Sequence, residues 1–435
     1  MITPMTGVYG ILIMLAVMLL LKMPVGYVMA LMGFLGIVYT ISWDAAFGMV
    51  GNDLWNTFSS YGLTVIPMFI LMGQICFYSQ VNERLYNAAY KWFGKIRGGL
   101  ATTTILACAG FAAICGSNTA TAATMTVVAL PEMKKYKYDP ILTSGSIAAG
   151  STLGVVIPPS VVLVVYGIYT GQSIGKLFFG SFVPGIILSL TMVLIVYVMC
   201  LMHPTWGPKG PNFTMWEKIK TLPDALDMLV LFGIIMFSLY AGLFTPSEAG
   251  AAGSVVAIII SLLRRKLTWK GFLGSVIDTL RISCMIFMLV AGAVIFGRFL
   301  AVTRLPFVAA EWVAGLPVPH WMILWAMLII YIIGGCVMDA LAFLLITVPI
   351  FYPVAIQMGY DPIWFGVVIT IVTTMGAITP PVGISAYIVS GMAKDIPLST
   401  VFRGVIWFIP SYILTLVLVE VFPQLVTFFA NLVKY

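Results

Sequence analysis

The sequence predicts an all-α polytopic membrane protein built from two inverted-topology repeats. Of its 435 residues, 61% are apolar and only 9% are charged. A soluble domain is about 45–50% apolar and about 25% charged. The apolar residues form long runs separated by short basic loops, and one segment of the first half recurs in the second half. This composition excludes a soluble enzyme, a disordered chain and a fibrous repeat.

The first domain, residues 1–62, is predicted to contain two scaffold spans and an interfacial segment. The runs 5–21 and 25–41 are long enough to cross a hydrocarbon core of about 30 Å. Residues 48–61 are less apolar and include Asp53, which favours a position at the membrane surface. The first run lacks the basic flank of a cleaved signal peptide, so we expect it to remain as a span, with the N-terminus outside the cytoplasm.

The second domain, residues 63–202, is predicted to form the first repeat. A span over 63–78 and an amphipathic surface helix over 81–99 precede a re-entrant hairpin at about 100–131. Basic clusters flank the hairpin on both sides, and a single crossing would leave one cluster on the wrong side of the membrane. A helix broken by prolines then covers 139–172, and a span ends the repeat.

The remaining chain is predicted to contain a linking domain and the second repeat. Residues 203–280 provide a cytoplasmic loop, two scaffold spans and a second surface helix at 270–281. Residues 281–430 repeat the plan, with a hairpin at about 321–353, a broken helix at 361–392 and a last span at about 404–430.

The distribution of basic residues supports this threading. The net charge is +7, and all but four of the 22 Lys and Arg residues fall on the cytoplasmic side. The four outside are Lys176, Arg298, Arg304 and Lys434. The six cysteines show no metal-ligand spacing, and the two histidines lie beside prolines in loops, so neither disulfides nor a metal centre is expected.

The internal repeat is the strongest pattern in the sequence. Residues 138–141, Tyr-Asp-Pro-Ile, recur at 360–363, and the offset of 222 holds without a gap to the Pro-Pro pairs at 158–159 and 380–381. Nine of 22 positions are identical, where about two are expected by chance. The first copy starts inside and the second outside, so the copies are inverted. Secondary transporters often place their site where such halves meet.

The broken helices and hairpin tips carry the candidate chemistry. A proline pair opens a helix and frees carbonyl oxygens, which are ligands of hard cations such as sodium. Ser117, Asn118 and Thr119 add hydroxyl and amide oxygens at the first hairpin tip. Asp339 is the one acidic residue deep inside an apolar stretch, so it is either functional or an N-cap, and both roles are compatible. Thr373, Thr374 and Thr379 are either ligands or back-bonded helix residues.

Seven short motifs occur in one order: 116–121, 131–133, 138–140, 154–160, 338–340, 346–350 and 378–383. Together they resemble the large membrane subunit of tripartite ATP-independent periplasmic (TRAP) transporters. The resemblance implies sodium-coupled import of small organic acids by an elevator movement in the bacterial cytoplasmic membrane. The threading by charge puts the N-terminus on the periplasmic side. The resemblance implies two partners, a small membrane subunit and a periplasmic substrate-binding protein. No N-terminal extension precedes the first span, so we expect the small subunit to be a separate chain.

The resemblance also implies the site residues. Family sodium ligands match Gly335, Gly376, Thr379 and Val382, and the offset of 222 gives the pseudo-equivalent set Ala113, Gly154, Ile157 and Ser160, with Ser117 and Asn118 close by. The residues expected to contact substrate are Ser117, Asn118, Thr119, Pro159, Ser160, Asp339 and Pro381. No cofactor is expected besides the coupling ion.

Three other functions remain open from the residues. A stand-alone ion-coupled carboxylate transporter would need no binding protein, and a passive channel can also have inverted repeats. An intramembrane enzyme is disfavoured, because the chain lacks paired histidines, a Gly-x-Ser-x-Gly elbow and a carboxylate pair. C4-dicarboxylates, sialic acid, other sugar acids and keto acids all fit the substrate class.

Overall fold

The computed structural model describes residues 3–433, and within this range the chain is helical with no strand. Ten helical segments of the described chain are long and apolar enough to cross a membrane. Helices suit lipid because every backbone hydrogen bond is made within the segment. The predicted all-α polytopic fold is therefore confirmed. Lys434, which the threading places outside, lies beyond the described residues.

Three helices open the chain: Pro4–Leu21, Val25–Thr40 and Trp43–Phe58. Ser42 begins the third by accepting a hydrogen bond from the Ala45 amide at 3.2 Å, as a good N-cap residue does. Gly33 of the second helix packs on the backbone of a later helix, where a methyl carbon would lie 2.7 Å from the Phe296 nitrogen. Small residues allow such close approach of membrane helices.

The first repeat is a hairpin followed by a helix in three pieces. A short helical turn, Tyr61–Thr64, leads into helices Val65–Tyr78, Val81–Phe93, Gly99–Cys115, Asn118–Lys135, Pro140–Ser151, Leu153–Val156, Val161–Thr170 and Ile174–Met202. The hairpin tip is shorter than the polar run at 116–121 suggests. Only Gly116 and Ser117 lie outside the helices, because Ser117 caps the second helix and Asn118 already belongs to it.

The second half repeats the order of a hairpin followed by a broken helix, which here has two pieces. Its helices are Met215–Ile219, Leu222–Tyr240, Pro246–Leu263, Trp269–Val302, Leu305–Ala314, His320–Val337, Ala340–Gln357, Pro362–Gly376, Ile384–Met392, Leu398–Ile406, Ile409–Val421 and Gln424–Asn431. The break in the second broken helix falls at residues 377–383, which correspond by the offset of 222 to residues 155–161 around the first break.

Two sequence expectations are wrong here. The surface helix at 270–281 is not separate: it is the first part of the 34-residue helix Trp269–Val302, which crosses the boundary drawn at residue 280. No proline interrupts this segment, so its charged start continues directly into the apolar span. The last span at 404–430 is instead three helices, because Pro410 and Pro423 each start a new one.

The two repeats interlock. Helix Ile384–Met392 of the second repeat packs against Asn118–Lys135 and Pro140–Ser151 of the first. Beside this contact the Lys134 ammonium donates a hydrogen bond to Asp395 Oδ1 at 2.5 Å, which lowers the pKa of that carboxyl. Hairpins and broken helices from both halves therefore pack together as neighbours.

We expect Gly404→Ala to destabilise the protein. Helices Pro140–Ser151 and Leu398–Ile406 meet at two glycines, and a methyl carbon on Gly404 would lie 2.8 Å from Gly145 Cα. Backbone atoms cannot rotate away, so overpacking should cost about 1–3 kcal/mol. Thermal unfolding in detergent should show a melting temperature several degrees lower. Gly233→Ala is the matched control, since nothing lies within 4 Å of a methyl carbon there. Equal melting temperatures for the two variants would contradict this packing.

Candidate functional site

The tips of both hairpins line one cavity of about 540 Å³, which we call the tip cavity. The first hairpin contributes Ser117, Asn118 and Thr119, and the second contributes Asp339. The broken helices add Val155, Val161, Val162 and Ile384 to the wall. Two further helices, called here the flanking helices, also line it: Val65–Tyr78 and Trp269–Val302. They contribute Ile70, Gly73, Gln74, Ile282, Met285 and Ile286. Polar tips from both repeats thus face a largely apolar wall.

The first hairpin tip presents oxygen atoms to the tip cavity. Gly116 has φ of +63°, a left-handed conformation that glycine adopts without strain. Ser117 Oγ accepts a hydrogen bond from the Ala120 amide at 3.4 Å and lies 3.1 Å from Thr119 Oγ1. The Asn118 side chain is buried, and its Oδ1 has no hydrogen-bond partner in the described part of the chain. A buried amide oxygen without a partner is costly unless a ligand completes it.

Asp339 occupies the equivalent position in the second hairpin, 222 residues after Ser117. Its Oδ2 accepts a hydrogen bond from the Leu341 amide at 3.1 Å and caps helix Ala340–Gln357. In each hairpin the second helix therefore begins at the cavity, and the positive ends of the two helix dipoles favour an anion there. Asp339 also lines the cavity, so the cap and a second role are compatible.

Replacing Asp339 separates its two roles. Asparagine caps a helix about as well as aspartate, whereas alanine loses about 1 kcal/mol of capping free energy. If the carboxylate charge serves transport, Asp339→Asn should keep the melting temperature and lose about tenfold in uptake. Asp361→Asn is the matched control, because Asp361 caps the second broken helix from a position outside the cavity lining. If Asp339→Asn transported as the wild type does, Asp339 would serve only as the N-cap of its helix.

The breaks free backbone oxygens beside both hairpin tips. Among residues 3–433, the carbonyls of Ile157, Pro158 and Pro159 accept no backbone hydrogen bond. The same holds within that range for the carbonyls of residues 378–382 in the second break. Both Pro-Pro bonds are cis. The Gly383 amide donates a hydrogen bond to the Cys336 carbonyl at 3.1 Å, which ties the second break to the second hairpin.

Each hairpin contacts the broken helix of its own repeat through glycine. A methyl carbon on Gly154 would lie 2.7 Å from the Ser117 carbonyl oxygen, and one on Gly376 would lie 2.7 Å from the Gly335 carbonyl carbon. These contacts bring together members of each predicted ligand set. The oxygens present are carbonyl, hydroxyl and amide groups, a donor set that fits a hard cation such as sodium.

The three candidate threonines are all back-bonded to their own helix. Thr373 Oγ1 donates to the Ile369 carbonyl at 2.5 Å, Thr374 Oγ1 to Ile371 at 2.7 Å and Thr379 Oγ1 to Met375 at 2.6 Å. Each hydroxyl hydrogen is therefore engaged, while the oxygen lone pairs stay available to a ligand.

Not every predicted site residue reaches the tip cavity. Absent from its lining are Ala113, Gly154, Ile157, Pro159, Ser160, Gly335, Thr373, Thr374, Gly376, Thr379, Pro381 and Val382. Ser160 instead caps helix Val161–Thr170, accepting from the Leu163 amide at 3.4 Å. The repeats also differ, since Pro159 is buried and Pro381 is exposed. The sequence reasoning missed Gln74, although it is the one polar amide within the apolar run 63–78.

Residues 12–425 match the family model of the DctM component of tripartite ATP-independent periplasmic transporters. The chain belongs to the DctM family. It is 33% identical over 371 residues to the C4-dicarboxylate TRAP transporter large permease protein DctM of Pseudomonas aeruginosa, covering 85% of this chain and 86% of that protein. It is 30% identical over 403 residues to the sialic acid TRAP transporter large permease protein SiaM of Vibrio cholerae, covering 92% and 93%.

A third relative is the isethionate TRAP transporter permease protein DctMQ of Oleidesulfovibrio alaskensis, 30% identical over 383 residues that cover 88% of this chain and 60% of that one. The YdaH transporter of Alcanivorax borkumensis has a similar fold, with a TM-score of 0.62 at 12% identity over 87% of this chain and 89% of that one. The family model and the TRAP permease relatives identify the chain as a multi-pass inner-membrane secondary transporter of organic acids, and not an enzyme.

Proposed function

We propose that this DctM-family protein imports small organic acid anions into the cytoplasm in symport with sodium. It acts as the large membrane subunit, together with a separate small membrane subunit and a periplasmic binding protein, and its N-terminus is periplasmic. The observation that carries the proposal is the tip cavity, where an oxygen-rich tip and an acidic tip from opposite repeats meet.

Sodium binding is supported by the donor atoms beside the tips. In the first repeat these are Asn118 Oδ1 and the free carbonyls at Ile157 and Pro159, next to Ser117. In the second repeat they are the free carbonyls of residues 378–382, which include Thr379 and Val382, and the hydrogen bond from the Gly383 amide to the Cys336 carbonyl holds this break against the second hairpin. A sodium ion bound there supplies positive charge, and the chain's residues orient the oxygens that hold it.

Anion binding is supported by the two helix starts at the tip cavity. Helices Asn118–Lys135 and Ala340–Gln357 both begin there, so their free amides are available to a carboxylate. The Asp339 carboxylate opposes an anion when no cation is present. Bound sodium would offset that repulsion. Sodium should therefore tighten binding of the anion, and the anion should tighten binding of sodium by the same factor.

Elevator movement is supported by the composition of the cavity wall. One side consists of hairpins and broken helices that interlock across the two repeats, and the other of flanking helices with apolar side chains such as Met285 and Ile286. Apolar surfaces without hydrogen bonds between them can slide with little loss. We propose that the interlocked elements move as one unit past the flanking helices.

The relatives narrow the substrate class to small organic anions. Their names specify C4-dicarboxylates, sialic acid and isethionate, which share an acidic group on a small polar body. We propose a ligand of the same class here, with selectivity shared between the tip cavity and the binding protein.

Reconstituted transport tests the proposal. Proteoliposomes containing this chain and its small subunit should accumulate a ligand presented by the binding protein when sodium is high outside. An equal potassium gradient is the control and should give no accumulation. Accumulation that persists with potassium would exclude sodium coupling. Full uptake without the binding protein would favour the stand-alone transporter instead.

A further inference from the structure

A second polar cavity, of about 500 Å³, surrounds Arg298 near the far end of helix Trp269–Val302, and we call it the Arg298 cavity. Its polar lining comes from Asp53, Asn56, Thr57, Ser60, Tyr169 and Arg298. None of these side chains belongs to the hairpin tips or to the breaks. The predicted position of Arg298 on the outer side of the membrane does not by itself account for such a cluster.

The guanidinium in this cavity is fixed in place. Arg298 Nε donates to Asp53 Oδ2 at 3.0 Å and Nη2 donates to Asp53 Oδ1 at 2.7 Å, a bidentate pair. The Asp53 side chain is only 6% exposed, whereas that of Arg298 is 50% exposed. Nη1 has no hydrogen-bond partner within residues 3–433. Asp53 thus orients a cation that still has a free donor nitrogen.

The groups around Arg298 are also free. The side chains of Asn56, Thr57, Ser60 and Tyr169 make no hydrogen bond to any other described residue. Hydroxyl and amide groups beside a guanidinium match the several acceptor oxygens of a carboxylate or sulfonate.

The Arg298 cavity lies in series with the tip cavity. Along the long helix, residues at four-residue intervals form one ridge, and Ile282 and Ile286 line the tip cavity while Val290, Val294 and Arg298 line the second. Met285 and Arg298 are about 20 Å apart along the helix axis. Helix Val161–Thr170 also reaches both cavities, with Val161 at one and Tyr169 at the other.

We propose that the Arg298 cavity is a second binding site for the transported organic anion, on the outer side of the tip cavity. Arg298 Nη1 and the neighbouring hydroxyls hold the acidic group, and Asp53 is a positioning residue. The outer location follows from the cytoplasmic placement of Lys270 and Arg281 at the other end of the same helix. This inference rests on the proposed function, whose sodium coupling is measured separately.

Protection of an introduced thiol tests the site directly. Thr57→Cys is made in a chain whose six native cysteines are replaced by alanine, assembled with the small subunit in proteoliposomes. The readout is the rate of labelling by a membrane-impermeant methanethiosulfonate. The probes are succinate, N-acetylneuraminate and isethionate, each at saturation. At least one should slow labelling about tenfold, as binding at ten times its dissociation constant does.

The charged pair decides the interpretation. Asp53→Asn/Arg298→Gln removes both charges, so no buried charge is left unpaired, and protection should disappear. The matched control Asp278→Asn/Arg281→Gln removes an ion pair at the other end of the same helix and should keep protection. Lack of protection by all three probes, or protection that survives loss of Arg298, would overturn the second site. Thiol labelling blocked only in the assembled transporter would show an interface with the small subunit instead.

Failure of this inference and failure of the proposed function give different results. Sodium-driven uptake by the wild-type chain, measured in the same vesicles, reports the function alone. A wild-type chain that transports a probe without protection of the introduced thiol keeps the proposed function and loses the second site.

Discussion

Gly376→Ala should weaken the sodium dependence of uptake while the protein still folds. A methyl carbon there would lie 2.7 Å from the Gly335 carbonyl carbon and from the Ile332 carbonyl oxygen. Both are backbone atoms, so the second hairpin must move away from the broken helix. Displacing groups that orient metal ligands typically costs about 10- to 100-fold in affinity. We therefore expect the half-saturating sodium concentration to rise by about 10- to 100-fold.

The control for Gly376→Ala lies in the same broken helix. Nothing lies within 4 Å of a methyl carbon on Gly391, so Gly391→Ala should transport as the wild type does. Gly154→Ala is the counterpart in the first repeat, where the methyl carbon would lie 2.7 Å from the Ser117 carbonyl oxygen. Normal sodium dependence in both Gly376→Ala and Gly154→Ala would refute the assignment of these contacts to ion sites.

Asn118→Ala should impair transport without destabilising the protein. Asn118 Oδ1 is buried with no partner among the described residues, so the alanine variant loses no hydrogen bond through this atom. Removing a buried unsatisfied group is neutral or stabilising by up to about 1 kcal/mol. If this oxygen is a sodium ligand, its loss should raise the half-saturating sodium concentration about tenfold. Sodium-dependent uptake and thermal unfolding measure the two effects.

Thr126→Ala is the contrasting variant on the same hairpin helix. Thr126 is buried and its hydroxyl donates to the Ala122 carbonyl at 2.7 Å, away from the tip cavity. Its loss should leave the half-saturating sodium concentration unchanged. If Asn118→Ala lowered the melting temperature and kept wild-type sodium dependence, the amide would be structural.

The local features of the fold could be predicted because local residues determine them. Proline pairs open helices wherever they occur, and the offset of 222 indicated that the second break would resemble the first. The continuity of helix Trp269–Val302 was missed, because a charged helical start looks the same whether the helix then stops or enters the membrane. The breaks before Pro410 and Pro423 were also missed, because the continuous apolar composition of 404–430 outweighed the two prolines that indicate helix starts.

The arrangement of the site depended on contacts between distant residues. Arg298 and Asp53 are 245 positions apart, and nothing local in either segment indicates that they pair. The approach of Ser117 and Asp339 to one cavity likewise requires the packing of both repeats. Gln74 lines the tip cavity because the packing of helix Val65–Tyr78 places it there. Sequence patterns therefore predicted which residues are chemically unusual, whereas the tertiary contacts determine which of them meet.

The most direct test of the central claim is the accessibility of the first hairpin tip from the two sides of the membrane. Thr119 is half-buried and lines the tip cavity, as does Cys115, so Thr119→Cys is made in a chain without native cysteines. A membrane-impermeant thiol reagent is applied to oriented vesicles from each side, with and without sodium and substrate. Alternating access predicts labelling from opposite sides in different ligand states. Labelling from one and the same side in every state would contradict a transport site at the hairpin tips.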